Sequence, residues 1–157
     1  MPRLDISLAS VDLVVGAPPA LRVIHPGESS SAGGAAGWAS VVAAAEEPCL
    51  LLDADGLIRA VSPAFLTLFG LGSAGSVLGR GLLDDLLDLV DFSARGAGLT
   101  AAELERIPPV QSLRSGGLAR GLVRVRLAGT VRTVDAVTTP LRVGDQVGGS
   151  LTFFAAV

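Results

Sequence analysis

The chain has 157 residues, of which 50% are hydrophobic, 4% aromatic and 17% charged, with a net charge of −3. That length suits one domain with a buried core plus some terminal sequence, and the weak negative charge excludes long-range steering toward nucleic acid or an anionic membrane. One Cys and one His exclude an internal disulfide framework and a His/Cys zinc set within the chain. No apolar run approaches the roughly 20 residues that span a bilayer. The start, Met1-Pro2-Arg3-Leu4-Asp5, lacks an apolar stretch of signal-peptide length, so the default compartment is the cytoplasm.

Residues 1–36 read as an appendage. Leu4, Ile6 and Leu8 alternate with Asp5 and Ser7, and Leu21-Arg22-Val23-Ile24 follows Pro18-Pro19, which predicts one or two short strands. From Pro26 to Gly37 the composition becomes Gly, Ser and Ala, a linker signature. The main domain is therefore expected over 37–157. Trp38 to Glu47 spaces Trp38, Val41, Val42 and Ala45 as one side of a helix that Pro48 ends. Cys49–Asp53 and Leu57–Val61 flank Ala54-Asp55-Gly56, a hairpin signal because Gly accepts the positive φ of the turn.

Ser62-Pro63 opens a helix as cap and first position, with Phe65, Leu66, Leu68 and Phe69 as its buried side and Gly70 as its stop. Leu82 to Val90 reads as a further amphipathic helix. Thr100-Ala101-Ala102-Glu103 is a capping box, with Leu104 and Ile107 on the apolar side before Pro108-Pro109 breaks the helix. The last third changes to a period of two. Val123, Val125 and Leu127 alternate with Arg124 and Arg126, and two more long strands follow after Gly129 and Gly144, which predicts an antiparallel meander.

This order of hairpin, short helices and three strands resembles the PAS domain family over about Trp38 to Val157. The resemblance is carried by Leu52-Asp53-Ala54-Asp55-Gly56-Leu57-Ile58, Pro63-Ala64-Phe65, Val77-Leu78-Gly79-Arg80 and the closing segment Arg120 to Ala155. It implies an α+β fold, with a five-stranded antiparallel sheet in the order 2-1-5-4-3 and short helices on one face. It also implies a sensory or dimerising role, with any ligand held between helices and sheet. The chain departs from the family at Ser62, where Asn is common. The flavin–cysteine adduct of the light-sensing branch is not expected, because Cys49 lies in the first strand. Axial haem ligation is not expected either, because His25 lies in the appendage.

Each motif with chemical potential also has a plain structural reading. Gly70-Leu71-Gly72-Ser73-Ala74-Gly75 is formally GxGxxG, but a dinucleotide site needs it between a strand and a helix. Asp84, Asp85 and Asp88 read as a solvated acidic helix face. Cys49 reads as a small buried hydrophobe and His25 as a solvated loop residue. The absence of Lys excludes Schiff-base chemistry, and no enzyme is expected.

Arg120, Arg124, Arg126 and Arg132 either keep the sheet surface soluble or bind an acidic partner or an anionic ligand. Trp38, Val41 and Val42 are core or, as the resemblance favours, a dimer seam. Two functions remain open. A sensor would hold a small apolar ligand against Phe65, Phe69, Leu104, Ile107, Val125 and Phe153, and signal through a homodimer and a partner protein. An adaptor would carry the same fold with a filled core and work by association alone. A nucleotide-binding enzyme built on the Gly70–Gly75 loop is the weak third. Because the chain ends at its last strand, the output is expected to be a partner protein or a change in self-association.

Overall fold

The computed structural model describes residues 35–157. The strands expected near Leu4–Leu8 and Leu21–Ile24, His25 and nearly all of the linker lie outside the described residues.

Ten elements and one 3-10 turn make up the domain: α1 (Ala35–Ala43), β1 (Cys49–Asp53), β2 (Ile58–Val61), α2 (Pro63–Leu68), the turn Ala74–Ser76, β3 (Leu89–Val90), α3 (Ala101–Leu104), α4 (Pro108–Ser115), β4 (Ala119–Leu127), β5 (Thr130–Val143) and β6 (Gln146–Ala156). They build one antiparallel sheet in the order β2-β1-β6-β5-β4-β3. Five of these strands stand in the expected order. The sixth, β3, adds a two-residue edge beside β4, pairing Leu89 with Val125 and Val90 with Arg124.

The local signals explain most boundaries. At the first hairpin Gly56 takes φ +78, and Asp53 Oδ1 accepts the amides of Asp55 (3.0 Å) and Leu57 (2.9 Å). Ser62 caps α2 by accepting the Phe65 amide at 3.1 Å. The capping box of α3 forms in both directions, between Thr100 and Glu103.

Two expectations fail. Leu82 to Val90 is not a helix but a series of turns ending in β3. Asp85 turns out of the helical region with φ +53, and the Asp84 carboxylate bonds back to the Gly81 amide at 2.9 Å. The Arg126 amide then captures the Asp88 carbonyl at 2.8 Å. A β ladder satisfies the backbone that a weak helix former, with three Asp in nine residues, would otherwise satisfy internally. Pro108-Pro109 ends one helix as expected but also opens α4, where Pro occupies the first positions without losing a helical bond.

Strand alternation divides the core in two. Leu50, Leu52, Val123, Val125, Ala136 and Phe154 point to the side covered by α2, α4 and the segment between them. Cys49, Leu51, Leu141 and Leu151 point to the opposite face, where α1 covers them with Ala35 and Val42. On the same face glycine is required at 149 by the close pairing of β1 with β6, because a Cβ there would strike the Leu52 carbonyl.

Candidate functional site

The helix-side core contains most of the proposed ligand residues, and they touch each other. Phe65 and Phe69 follow from α2 periodicity, and both rings meet Phe154 of β6. The three centroids lie 4.7, 5.6 and 5.1 Å apart in tilted and edge-on arrangements, the geometry aromatic quadrupoles favour. Val125 and Ile107 are buried in the same cluster, and Leu104 packs half-buried against it.

Phe153 does not join them. It pairs with Cys49 and Val137 on the other face and is 44% exposed, whereas Phe154 is 6% exposed. Two adjacent Phe residues give no local clue to which one faces inward. The pairing of Leu50 with Thr152 sets that parity.

Polar groups line part of the same interior. Thr138 and Thr152 share a hydrogen bond of 2.9 Å between their hydroxyls, both fully buried. The buried Ser150 Oγ, on the same face, has no partner among the described residues. Ser62 is better served, since its Oγ accepts the Cys49 amide at 3.0 Å and donates to the Glu47 carbonyl at 2.7 Å. Two hollows open beside the Leu82–Asp88 turns. One of about 330 Å³ is bordered by Leu52, Val110 and Leu113, and one of about 320 Å³ by Leu87, Leu89 and Leu104.

The opposite face differs in character. Leu122, Phe153 and Leu118 are exposed at the surface of β6, β4 and its approach, and Trp38 and Val41 are exposed on α1. Val42 turns the other way and is buried, accepting a weak Cys49 thiol contact at 3.9 Å through its carbonyl. The proposed seam of α1 is thus split between an exposed pair and a core residue.

Arg124 and Arg126 share a face of β4, as alternation requires, but they hold the chain's own loop. Arg124 donates to the carbonyls of Asp91 (2.8 Å) and Ser93 (3.1 Å) and lies 5.5 Å from the Phe92 ring centroid. Arg126 pairs with Asp88 at 3.0 Å and donates to the Gly96 carbonyl. Both side chains are thus engaged within the chain's own fold. Arg120 forms a close ion pair with Asp135 across the β4–β5 ladder.

The chemical motifs resolve into structure. The Gly70–Gly75 loop follows helix α2 and leads into a 3-10 turn, so it lacks the strand-to-helix setting of a dinucleotide loop. Burial pushes the Cys49 thiol up, opposed by its Ser62 neighbour, which leaves it protonated and shielded. Among the described residues no group of three or more His, Cys, Asp or Glu gathers to hold a metal. No described helix is long and apolar enough to cross a membrane.

No family model matches the chain, and no curated protein matches it. Solved structures do. The PAS domain of a Colwellia psychrerythraea protein matches 75% of this chain and 92% of its own length, at 16% identity and TM-score 0.54. A Rhodobacter sphaeroides LOV protein matches 75% of this chain and 64% of its own length, at 17% identity and TM-score 0.57. The Vibrio cholerae VqmA dimer matches 75% of this chain, at 17% identity and TM-score 0.55, and this chain spans 49% of it. Strand order, helix placement and these likenesses agree that residues 35–157 have the fold of a PAS domain.

Proposed function

We propose that this chain is a signalling module that works by association, pairing with a second copy through α1 and the outer face of its sheet. The observation that carries this reading is the separation of the two faces. Phe65, Phe69 and Phe154 fill the helix side, while Phe153, Leu122, Leu118, Trp38 and Val41 leave large apolar surface exposed on the other. Exposed apolar side chains grouped on one face, beside the Arg120–Asp135 and Arg126–Asp88 ion pairs, resemble an association surface with a charged rim. The signalling part of the reading is supported by the fold, and the pairing by the fact that one similar structure is of a dimer. Sedimentation of the full chain against Phe153→Asp tests it. A dimer that the substitution converts to monomer is expected, and a wild-type chain that is monomeric at all concentrations would overturn the reading.

A second reading adds a small, largely apolar ligand that biases the association. It is favoured by the unpartnered Ser150 hydroxyl inside the core and by the two hollows beside the Leu82–Asp88 turns. A ligand acts this way only if it binds the paired and unpaired states unequally. Native mass spectrometry of protein purified from its own host checks this. A bound mass that leaves on Ser150→Val or Leu52→Phe supports it, and protein carrying no added mass sinks it.

A further inference from the structure

Strand β4 presents a stretch of backbone that no other described strand pairs. The Arg126 amide points away from β5 and donates to the Asp88 carbonyl at 2.8 Å. In an antiparallel ladder the backbone groups of Arg124, Leu122 and Arg120, at steps of two, point to that same side. Strand β3 meets only Val125 and Arg124. Among the described residues the N–H and C=O of Leu122 and Arg120 therefore have no backbone partner. The cause is local. The Asp91 carboxylate takes the amides of Ser93 (3.1 Å) and Ala97 (3.0 Å) and turns the chain away after Val90, and Arg124 holds that turn from β4. The other edge of the sheet is closed, because Ile58 of β2 donates to the Arg80 carbonyl and accepts from the Gly79 amide, both at 2.8 Å.

The two sides of this edge differ. Leu122 and Arg120 project from the outer face, whereas Gly121 faces the helices, where a Cβ would stand 3.4 Å from Pro108 of α4. Beside Gly121 lies a hollow of about 270 Å³, walled by Leu99 and Ile107, with Arg106 at its rim. Neighbouring strands present paired side chains on a common face. A strand added here would turn the residue opposite Gly121 toward the hollow and leave those opposite Leu122 and Arg120 on the outer face. The charged groups around the hollow are mostly engaged within the domain. The Glu103 carboxylate accepts from the Thr100 amide (2.8 Å) and hydroxyl (2.7 Å), Asp91 serves its own turn, and Arg124 donates to carbonyls. Arg106, by contrast, makes no ion pair among the described residues.

We infer that this edge takes an extended peptide of a partner protein as a further strand, with an aliphatic residue facing the hollow and a carboxylate two residues along facing Arg106. Open backbone N–H and C=O groups recognise another backbone, which selects a strand over a small apolar molecule. Gly121 leaves room for the side chain opposite it. Leu99 and Ile107 suit an aliphatic group there, and the unpaired Arg106 suits an acid on the same side of the strand, where the period of two places it. The edge belongs to a single chain, whether or not two chains pair through α1.

NMR titration of the full chain with the blocked peptide acetyl-Thr-Ile-Thr-Glu-Thr-amide, and with its Lys-for-Glu counterpart, tests this. Saturable shifts of the Leu122 and Arg120 amides are expected, with hydrogen exchange at least about tenfold slower at saturation. The Glu peptide should bind about fivefold more tightly than the Lys peptide, and Arg106→Glu should reverse that order. The Arg126 amide, bonded to Asp88 throughout, reports that the domain itself is intact. An absence of saturable shifts, or an unchanged order of the two peptides in Arg106→Glu, overturns the inference. A Leu122 amide already protected in the peptide-free chain also overturns it. Protection independent of concentration would mean that the edge is covered from within the chain, and protection that grows with concentration alongside a doubled mass would assign it to a second copy.

Discussion

Ser62 does more than cap a helix. Its one oxygen accepts from Phe65 and Cys49 and donates to Glu47, tying the start of α2 to the start of β1. Ser62→Ala therefore removes a cap and leaves a buried amide and carbonyl unserved, for an expected loss of about 2–3 kcal/mol in urea melts. The neighbouring phenylalanines of β6 make a sharper test of which face is which. Phe154→Ala opens a cavity in the aromatic cluster and should cost about 3–5 kcal/mol, whereas Phe153→Ala should cost less than about 1 kcal/mol in the unassociated chain. Equal losses in the same melts would contradict the strand parity described above.

Among the elements, the loop from Asp91 to Ala97 is held mostly by hydrogen bonds to the Asp91 carboxylate and from the Arg124 guanidinium. Hydrogen bonds from Ser93 and then Ala97, with the Arg124 charge beside it, hold the Asp91 carboxyl below its ordinary range. The Arg120 bond does the same for Asp135, and the Thr100 bonds do so for Glu103. Carboxyls with lowered pKa values contribute stability that is fully present above the ordinary carboxylate range and is lost as pH falls through their folded values. Melts taken from about pH 6 to about pH 3 should therefore show falling stability. Because these groups are solvent-exposed, the fall should be modest. Asp91→Ala should flatten it and raise hydrogen exchange across residues 91–97, while an unchanged acid profile in that variant would remove Asp91 from the account.

At the level of the whole molecule, the sheet works with its two faces apart: one closed by aromatic packing, the other only part-covered by α1. Association and internal stability should then respond to different substitutions. Leu122→Asp should weaken self-association, read as a rise of about tenfold or more in the dimer dissociation constant, with little change in the unfolding midpoint of the monomer. Loss of both together would mean that Leu122 supports the fold rather than an interface.

Much of this architecture was legible along the chain because its signals are local. The Asp53–Ile58 hairpin, the Ser62 cap, the Thr100 box and the period-two strands each depend on residues within a few positions of one another, and each formed as read. The buried side of α2 was legible for the same reason. What could not be read locally were the contacts across the fold. Leu82–Val90 carries an apolar pattern that suits a helix, and it became turns and an edge strand because β4 offered backbone partners. Phe153 and Phe154 were separated by register with β1, a property of two strands far apart in sequence. Strand alternation put Arg124 and Arg126 on one face, but only the fold brought Asp88, Asp91 and Gly96 to them. Caps and turns are settled by neighbours in the chain, whereas the direction a strand residue faces and the partner a long side chain finds are settled only when distant segments meet.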